Sequence, residues 1–165
     1  MWWRSAAAIA AIAAAAALAG CGFAPLYGER EGVRGMLARV EVETVADRTG
    51  QLLRNALLLA LPPRRAGEAP SWRLVLTLDE TRQRVGVEEH AVATRANLTL
   101  AARFVLEDAA GAAKLSGRLE SIASYNILPS PYATLAAERN ARARATSQLA
   151  DAVVARLAAW LGGRG

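Results

Sequence analysis

Ala96, Leu98, Leu100, Ala102, Phe104 and Leu106 fall at every second position. Side chains along an extended strand alternate between its two faces, so this run predicts a long strand buried on one face only. Such a strand needs neighbours along its edges and a layer over its apolar side. Two more segments share the period. Trp72, Leu74, Leu76 and Leu78 alternate with Arg73, Thr77 and Asp79, and Leu115, Leu119, Ala123 and Tyr125 mark the inward side of a strand from Lys114 to Tyr125. Asp108-Ala109-Ala110-Gly111 between them is a hairpin turn. An earlier stretch, Met36 to Glu43, also alternates and predicts a half-buried strand, with Met36, Ala38, Val40 and Val42 on one side.

Two segments carry the helical period instead. Leu53, Leu57 and Leu61 recur four apart, with Leu52, Ala56 and Leu59 beside them. Asp47 or Thr49 can cap this helix, from about Gly50 to Leu61, and Pro62-Pro63 stops it because proline has no amide donor. The second opens at Ser130-Pro131, an N-cap followed by a first-turn proline, and runs to about Leu161 before Gly162-Gly163. Its expected buried stripe is Ala143, Ser147, Ala150, Val154, Leu157 and Leu161, widened by Leu149, Val153 and Trp160. Glu138 is spaced to pair with Arg142, whereas Arg139, Arg142 and Arg144 read as solvent-facing. The order is β-α-β-β-β-α. Two helices on one face of a four-stranded, mostly antiparallel sheet bury every apolar face at once, giving an α+β two-layer sandwich.

Composition adds most at the N-terminus. Met1-Trp2-Trp3-Arg4 is a short positive segment, and Ser5 to Ala17 is an uncharged apolar run. That run is shorter than the roughly 20 residues needed to span a bilayer as a helix, and matches a secretory signal. Leu18-Ala19-Gly20-Cys21 resembles the bacterial lipobox. The resemblance implies a diacylglycerol thioether on Cys21, cleavage before it and acylation of the new amine. Several acyl chains anchor a protein more stably than one. Gly22 in the next position implies sorting to the outer membrane. The expected parts are a signal peptide over 1–20, a lipidated tether over 21–35, with Phe23, Leu26 and Tyr27 as a docking point, and a domain over 36–165.

The chain carries 20 basic and 15 acidic residues, a net charge of +5, and Lys114 is its one lysine. A GC-rich genome and selection of guanidinium groups for anionic partners both explain that bias. A periplasmic location argues against nucleic acid as the partner. Catalytic signals are poor. His90 is the one histidine and has no partners at a recognisable spacing, and Cys21, the one cysteine, is consumed by the lipid. No nucleophile elbow, zinc-ligand helix or phosphate-cradling loop occurs. Neither an enzyme nor a cofactor is therefore expected, and the acidic pairs Asp79-Glu80 and Glu88-Glu89 read as solvated strand ends. Cations remain. Arg82, Arg84, Arg95, Arg103, Lys114 and Arg118 lie on or near the second to fourth strands, where charge-assisted hydrogen bonds could hold the phosphates of an anionic glycolipid. An ordinary solvated sheet face explains them equally well.

Two segments resemble the LptE family of lipopolysaccharide-assembly lipoproteins. Cys21-Gly22-Phe23-Ala24-Pro25-Leu26-Tyr27-Gly28 is similar to its mature N-terminus, especially in alphaproteobacteria. Ser124-Tyr125-Asn126 with Ser130-Pro131-Tyr132-Ala133-Thr134-Leu135-Ala136-Ala137-Glu138-Arg139-Asn140-Ala141 is similar to its junction of last strand and C-terminal helix. The resemblance implies a lipid-anchored protein on the periplasmic side of the outer membrane. It further implies a plug inside the LptD β-barrel that helps assemble the barrel and binds lipopolysaccharide. No local motif marks the contacts, so Arg82, Arg84, Arg95, Lys114 and Arg118 are candidates from charge alone. An accessory lipoprotein of another envelope lipid-transport system is the alternative reading.

Overall fold

The computed structural model describes residues 31–43, 47–85 and 94–163. Its elements are α1 (Glu31–Ala38), β1 (Val40–Val42), α2 (Arg48–Ala60), β2 (Trp72–Val85), β3 (Arg95–Asp108), β4 (Ala113–Asn126) and α3 (Pro131–Gly162). The sheet order is β1-β2-β3-β4. The β1–β2 pair is parallel, and the other two are antiparallel. The expected α+β sandwich is therefore present, with one helix more than the pattern predicts. The expected tether, Cys21, the Phe23 docking point and His90 lie outside the described residues, as does Gly86, where the charged stretch 80–90 predicts a strand end, a turn, or both; the strand itself continues through that charge to Val85.

Register explains the core. Leu74 pairs with Leu106 and Leu106 with Leu115, and Leu76 pairs with Phe104 and Phe104 with Gly117, so one row after another across the sheet faces the helices. Leu74, Leu98, Leu100, Phe104 and Leu106 are all buried there, as their alternation predicts. Phe104 needs room that only glycine leaves: a Cβ on Gly117 would lie 2.9 Å from its ring. The Asp108 turn closes as expected. Its carboxylate accepts from the amides of Ala110 and Ala112, and Gly111 adopts φ +80°.

The helix α2 is capped by Asp47, which accepts from the Gly50 amide. It buries Leu53, Leu57 and the C-cap residue Leu61, leaving Leu59 exposed. Along β3 and β4 lies α3, with α1 against it. The Trp72 and Trp160 rings meet edge to face at 5.5 Å, at the end of the sheet where Trp72 pairs with Asp108.

Three expectations need correction. Met36 and Leu37 belong to α1, and the first strand shrinks to Val40–Val42. Val33, Met36 and Leu37 have helical spacing, and α1 turns them toward the core. The buried stripe of α3 begins at Ala141 and Ala145 rather than Ala143 and Ser147, which are exposed. Ser130 holds the N-cap position, but its side chain caps nothing. Thr134 fixes the entry instead, its hydroxyl bonding both the amide and the carbonyl of Leu128.

Candidate functional site: a guanidinium cluster at the open end of the sandwich

The helix-facing side of β2 changes character along its length. Trp72, Leu74, Leu76 and Leu78 are followed on the same side by Glu80, Arg82 and Arg84. The strand runs through to Val85, so Arg82 and Arg84 do share a face. This is also where α2 begins, and α2 leaves the first turns of α3 uncovered. Charged groups from three elements meet there.

Glu80 is the hub. Arg142 of α3 approaches it with two parallel hydrogen bonds of 2.8 Å, and the Thr49 hydroxyl donates at 3.1 Å. Arg142 also bonds Glu138, one helical turn earlier, at 2.7 Å, and Arg82 bonds Glu138 at 3.1 Å. Two carboxylates and two guanidiniums thus neutralise one another across a partly buried seam. Bidentate arginine–carboxylate pairs are among the stronger polar contacts. The Arg142 bonds hold the Glu80 carboxyl below its ordinary value, with burial opposing and Thr49 assisting. Reciprocally, the Glu80 bonds push the Arg142 guanidinium higher still.

This seam corrects two readings. Arg142 is not solvent-facing; 18% of its side chain is exposed. Glu80 is not a solvated strand end. Its even position on an inward-facing register demanded a cation from the covering helix, and that signal was available in the alternation. The expected Glu138–Arg142 pair is present.

Beside the seam runs a groove of about 440 Å³ between α2 and α3, lined by Arg48, Leu52, Arg139, Arg142 and Ala143. Arg48 and Arg139 make no ion pair among the described residues. Sequence reasoning missed Arg48 as a member of this cluster, because nothing local brings the start of α2 beside α3.

The five candidate cations do not converge. Arg82 and Arg84 lie on the helix-facing side of β2. Arg95, opposite Val85, and Arg118 lie on the other side of the sheet. Arg118 is eight residues from Asn126, the partner of Arg95, which at about 3.4 Å per residue separates the two by roughly 27 Å. Lys114 sits at the far hairpin, where it pairs with Asp108 at 2.9 Å. That contact and the Ala112 amide hold the Asp108 carboxyl below its usual range. Arg103 stands directly opposite Arg118 and forms an ion pair with Asp79 at 3.3 Å. Among the described residues no cluster of metal-ligating side chains occurs, and no helix is long and apolar enough to cross a membrane.

Comparison with known proteins follows from this architecture. A lipoprotein from Caulobacter crescentus CB15 is 33% identical, with a TM-score of 0.67 over 80% of this chain and 97% of that one. A minor lipoprotein from Acinetobacter baumannii is 18% identical, with a TM-score of 0.53 over 73% of this chain and 88% of that one, and supports the fold alone. Lipoprotein B from Nitrosomonas europaea does the same at 13% identity, with a TM-score of 0.52 over 74% of this chain and 82% of that one. A search of curated proteins finds no match. The family model described as LptE, lipopolysaccharide-assembly, matches residues 37–157. That span takes in every strand and most of α3, so the chain belongs to the LptE family of lipopolysaccharide-assembly proteins.

Proposed function

We propose that this protein is a lipoprotein anchored through Cys21 on the periplasmic side of the outer membrane. There it plugs and helps assemble an LptD-type β-barrel and binds lipopolysaccharide during export. The observation that carries this reading is the family match across the folded domain. The surface chemistry agrees with it. A barrel lumen is polar, and a plug within it needs a polar exterior over an apolar core. The uncovered sheet face supplies Arg73, Thr77, Asp79, Thr81, Gln83, Arg103, Arg118 and Glu120 to solvent, while the leucines turn inward. The lipid tether raises the effective concentration of the domain beside the barrel.

Lipopolysaccharide carries phosphate on an acylated sugar, so its receptor needs cations beside apolar surface. The open end of the sandwich offers that combination. Arg82, Arg84, Arg48 and Arg139 are exposed there, and Leu52 and Leu135 lie on the same two helices. We assign phosphate contact to Arg82 and Arg84 first. Arg95, Lys114 and Arg118 lie on other surfaces and stand outside that contact.

Depletion of the protein in its own host tests the reading. Loss of surface lipopolysaccharide together with mature barrel is expected. Phospholipid imbalance with a normal barrel would assign the protein to another envelope lipid-transport system instead.

A further inference from the structure

The edge of the sheet formed by β4 is open. Its hydrogen-bonding direction can be fixed from two contacts. The Ile127 amide donates to the Thr94 carbonyl at 2.8 Å, continuing the β3–β4 ladder past the strand end. The register is constant from that pair back to Leu106–Leu115, so the odd-numbered residues of β4 direct their amides and carbonyls at β3. The even-numbered ones therefore point away from the sheet. Independently, Arg144 of α3 donates to the carbonyl of Ser124 at 3.1 Å, reaching it from the open side. Ser116, Arg118, Glu120 and Ile122 precede Ser124 on that edge. Among the described residues nothing bonds their main-chain groups.

Side chains on this stretch favour a particular guest. Arg118 and Glu120 are exposed and make no ion pair among the described residues, and Ile122 is 58% exposed. Arg118 faces Arg103 directly across the strands. Asp79 already balances Arg103 at 3.3 Å, which leaves Arg118 as the cation of the pair without a counter-charge among the described residues, and an anion beside it completes the row. A second copy of this chain fits poorly. A two-fold pairing of β4 with β4 sets both α3 helices on the same side, above the join. Arg144 and Gln148, which bonds Ser121 at 3.0 Å, already bring α3 over this strand. A single extended segment has no such helix.

We propose that the β4 edge from Ser116 to Ile122 receives an added strand from the barrel partner, an extended segment with a carboxylate beside Arg118 and an apolar side chain beside Ile122. Main-chain hydrogen bonds give such an addition its affinity, and alternate side chains give it specificity. The inference rests on the barrel reading above and names where the barrel holds the domain. Two existing features suit the role. Arg144 caps the edge at one end and Lys114 marks the other, so the open stretch between them has defined limits.

Hydrogen exchange on the lipidated chain, free and in complex with its barrel, reads the outward amides directly. We expect those of Arg118, Glu120 and Ile122 to slow by roughly a hundredfold or more in the complex. Glu120→Pro deletes one outward donor and leaves the β3 ladder intact, because proline is tolerated where the amide faces solvent on an edge strand. It should weaken barrel capture by about tenfold or more, while Glu120→Ala stays within about twofold. A complex in which the three amides exchange at their free rate would overturn the strand addition and spare the barrel reading. So would full capture by Glu120→Pro. If the unmodified chain brings no barrel at all, both readings fall. Should Glu120→Pro not fold, exchange on the unmodified chain decides alone.

Discussion

The lower and upper halves of β2 share one strand, one face and one alternation, yet they carry opposite chemistry. From Trp72 to Leu78 the helix-facing side chains are apolar and sit in rows against β3. From Glu80 to Arg84 they are charged, and what covers them is a salt-bridged seam rather than a hydrocarbon layer. Alternation tells which way a side chain points. Whether the covering layer meets it with leucine or with arginine is decided by the helices above: Leu53 and Leu57 of α2 with the leucines of α3 over the lower half, Thr49 at the start of α2 with Glu138 and Arg142 of α3 over the upper. The lower half provides the stability that lets the upper half expose cations.

The sharpest way to break this contrast is one change at two positions. Leu74→Asp buries an unpaired carboxylate among Phe104, Leu106 and their neighbours, and should cost about 4 kcal/mol or more, enough to leave most of the chain unfolded. Arg82→Asp, eight residues further on the same face, should cost about 1 kcal/mol or less, because that side chain is largely in water. Circular dichroism melts of the two variants compare them directly. Equal melting temperatures would erase the distinction between the halves.

Next in size is the seam itself. Arg142→Ala removes the partner shared by Glu80 and Glu138 and should cost about 2 kcal/mol by urea denaturation. Gly117→Ala tests the lower half in the same range. The added methyl meets a ring already buried, at an expected cost of about 1–3 kcal/mol. An unchanged urea midpoint for Gly117→Ala would show that Phe104 moves aside freely.

The seam also sets a pH dependence. Glu80 is held below its ordinary value near 4.5 in the folded chain, so the unfolded chain takes up that proton first as pH falls. Its stabilisation is complete above the ordinary value and is lost as pH drops through the lowered one. Urea midpoints measured between about pH 6 and pH 3 should decline less steeply for Glu80→Gln than for the unmodified chain. Identical slopes would remove Glu80 from the account. The smallest effect separates the two helix starts. Asp47→Ala should cost about 1 kcal/mol, while Ser130→Ala should cost under about 0.5 kcal/mol because its hydroxyl caps nothing.

How legible all this was in the sequence follows from contrast between neighbouring residues. Along β3, leucine and phenylalanine alternate with threonine and arginine, so the face is unmistakable. At the start of α3, Ala141, Ala143 and Ala145 look alike, and the choice of which are buried comes from packing against β4. Residues 36–43 carried two periods at once, because Met36 suits both the alternation with Ala38 and Val40 and the helical spacing with Val33 and Leu37. Among the candidate cations, the shared face of Arg82 and Arg84 was readable from strand parity alone. The meeting of Arg82 and Arg142 at Glu138, with Arg48 in the adjoining groove, was not, since it joins residues from 48 to 142 through tertiary contact. Glu80 was the one readable hint, a carboxylate in an inward position that called for a guanidinium.

Intact mass analysis of the native complex purified from outer membranes decides whether this is a lipid-anchored barrel plug. A chain that begins at Cys21, carries acyl mass on that residue and is held by a β-barrel is expected. A solitary chain with an unmodified thiol would contradict it.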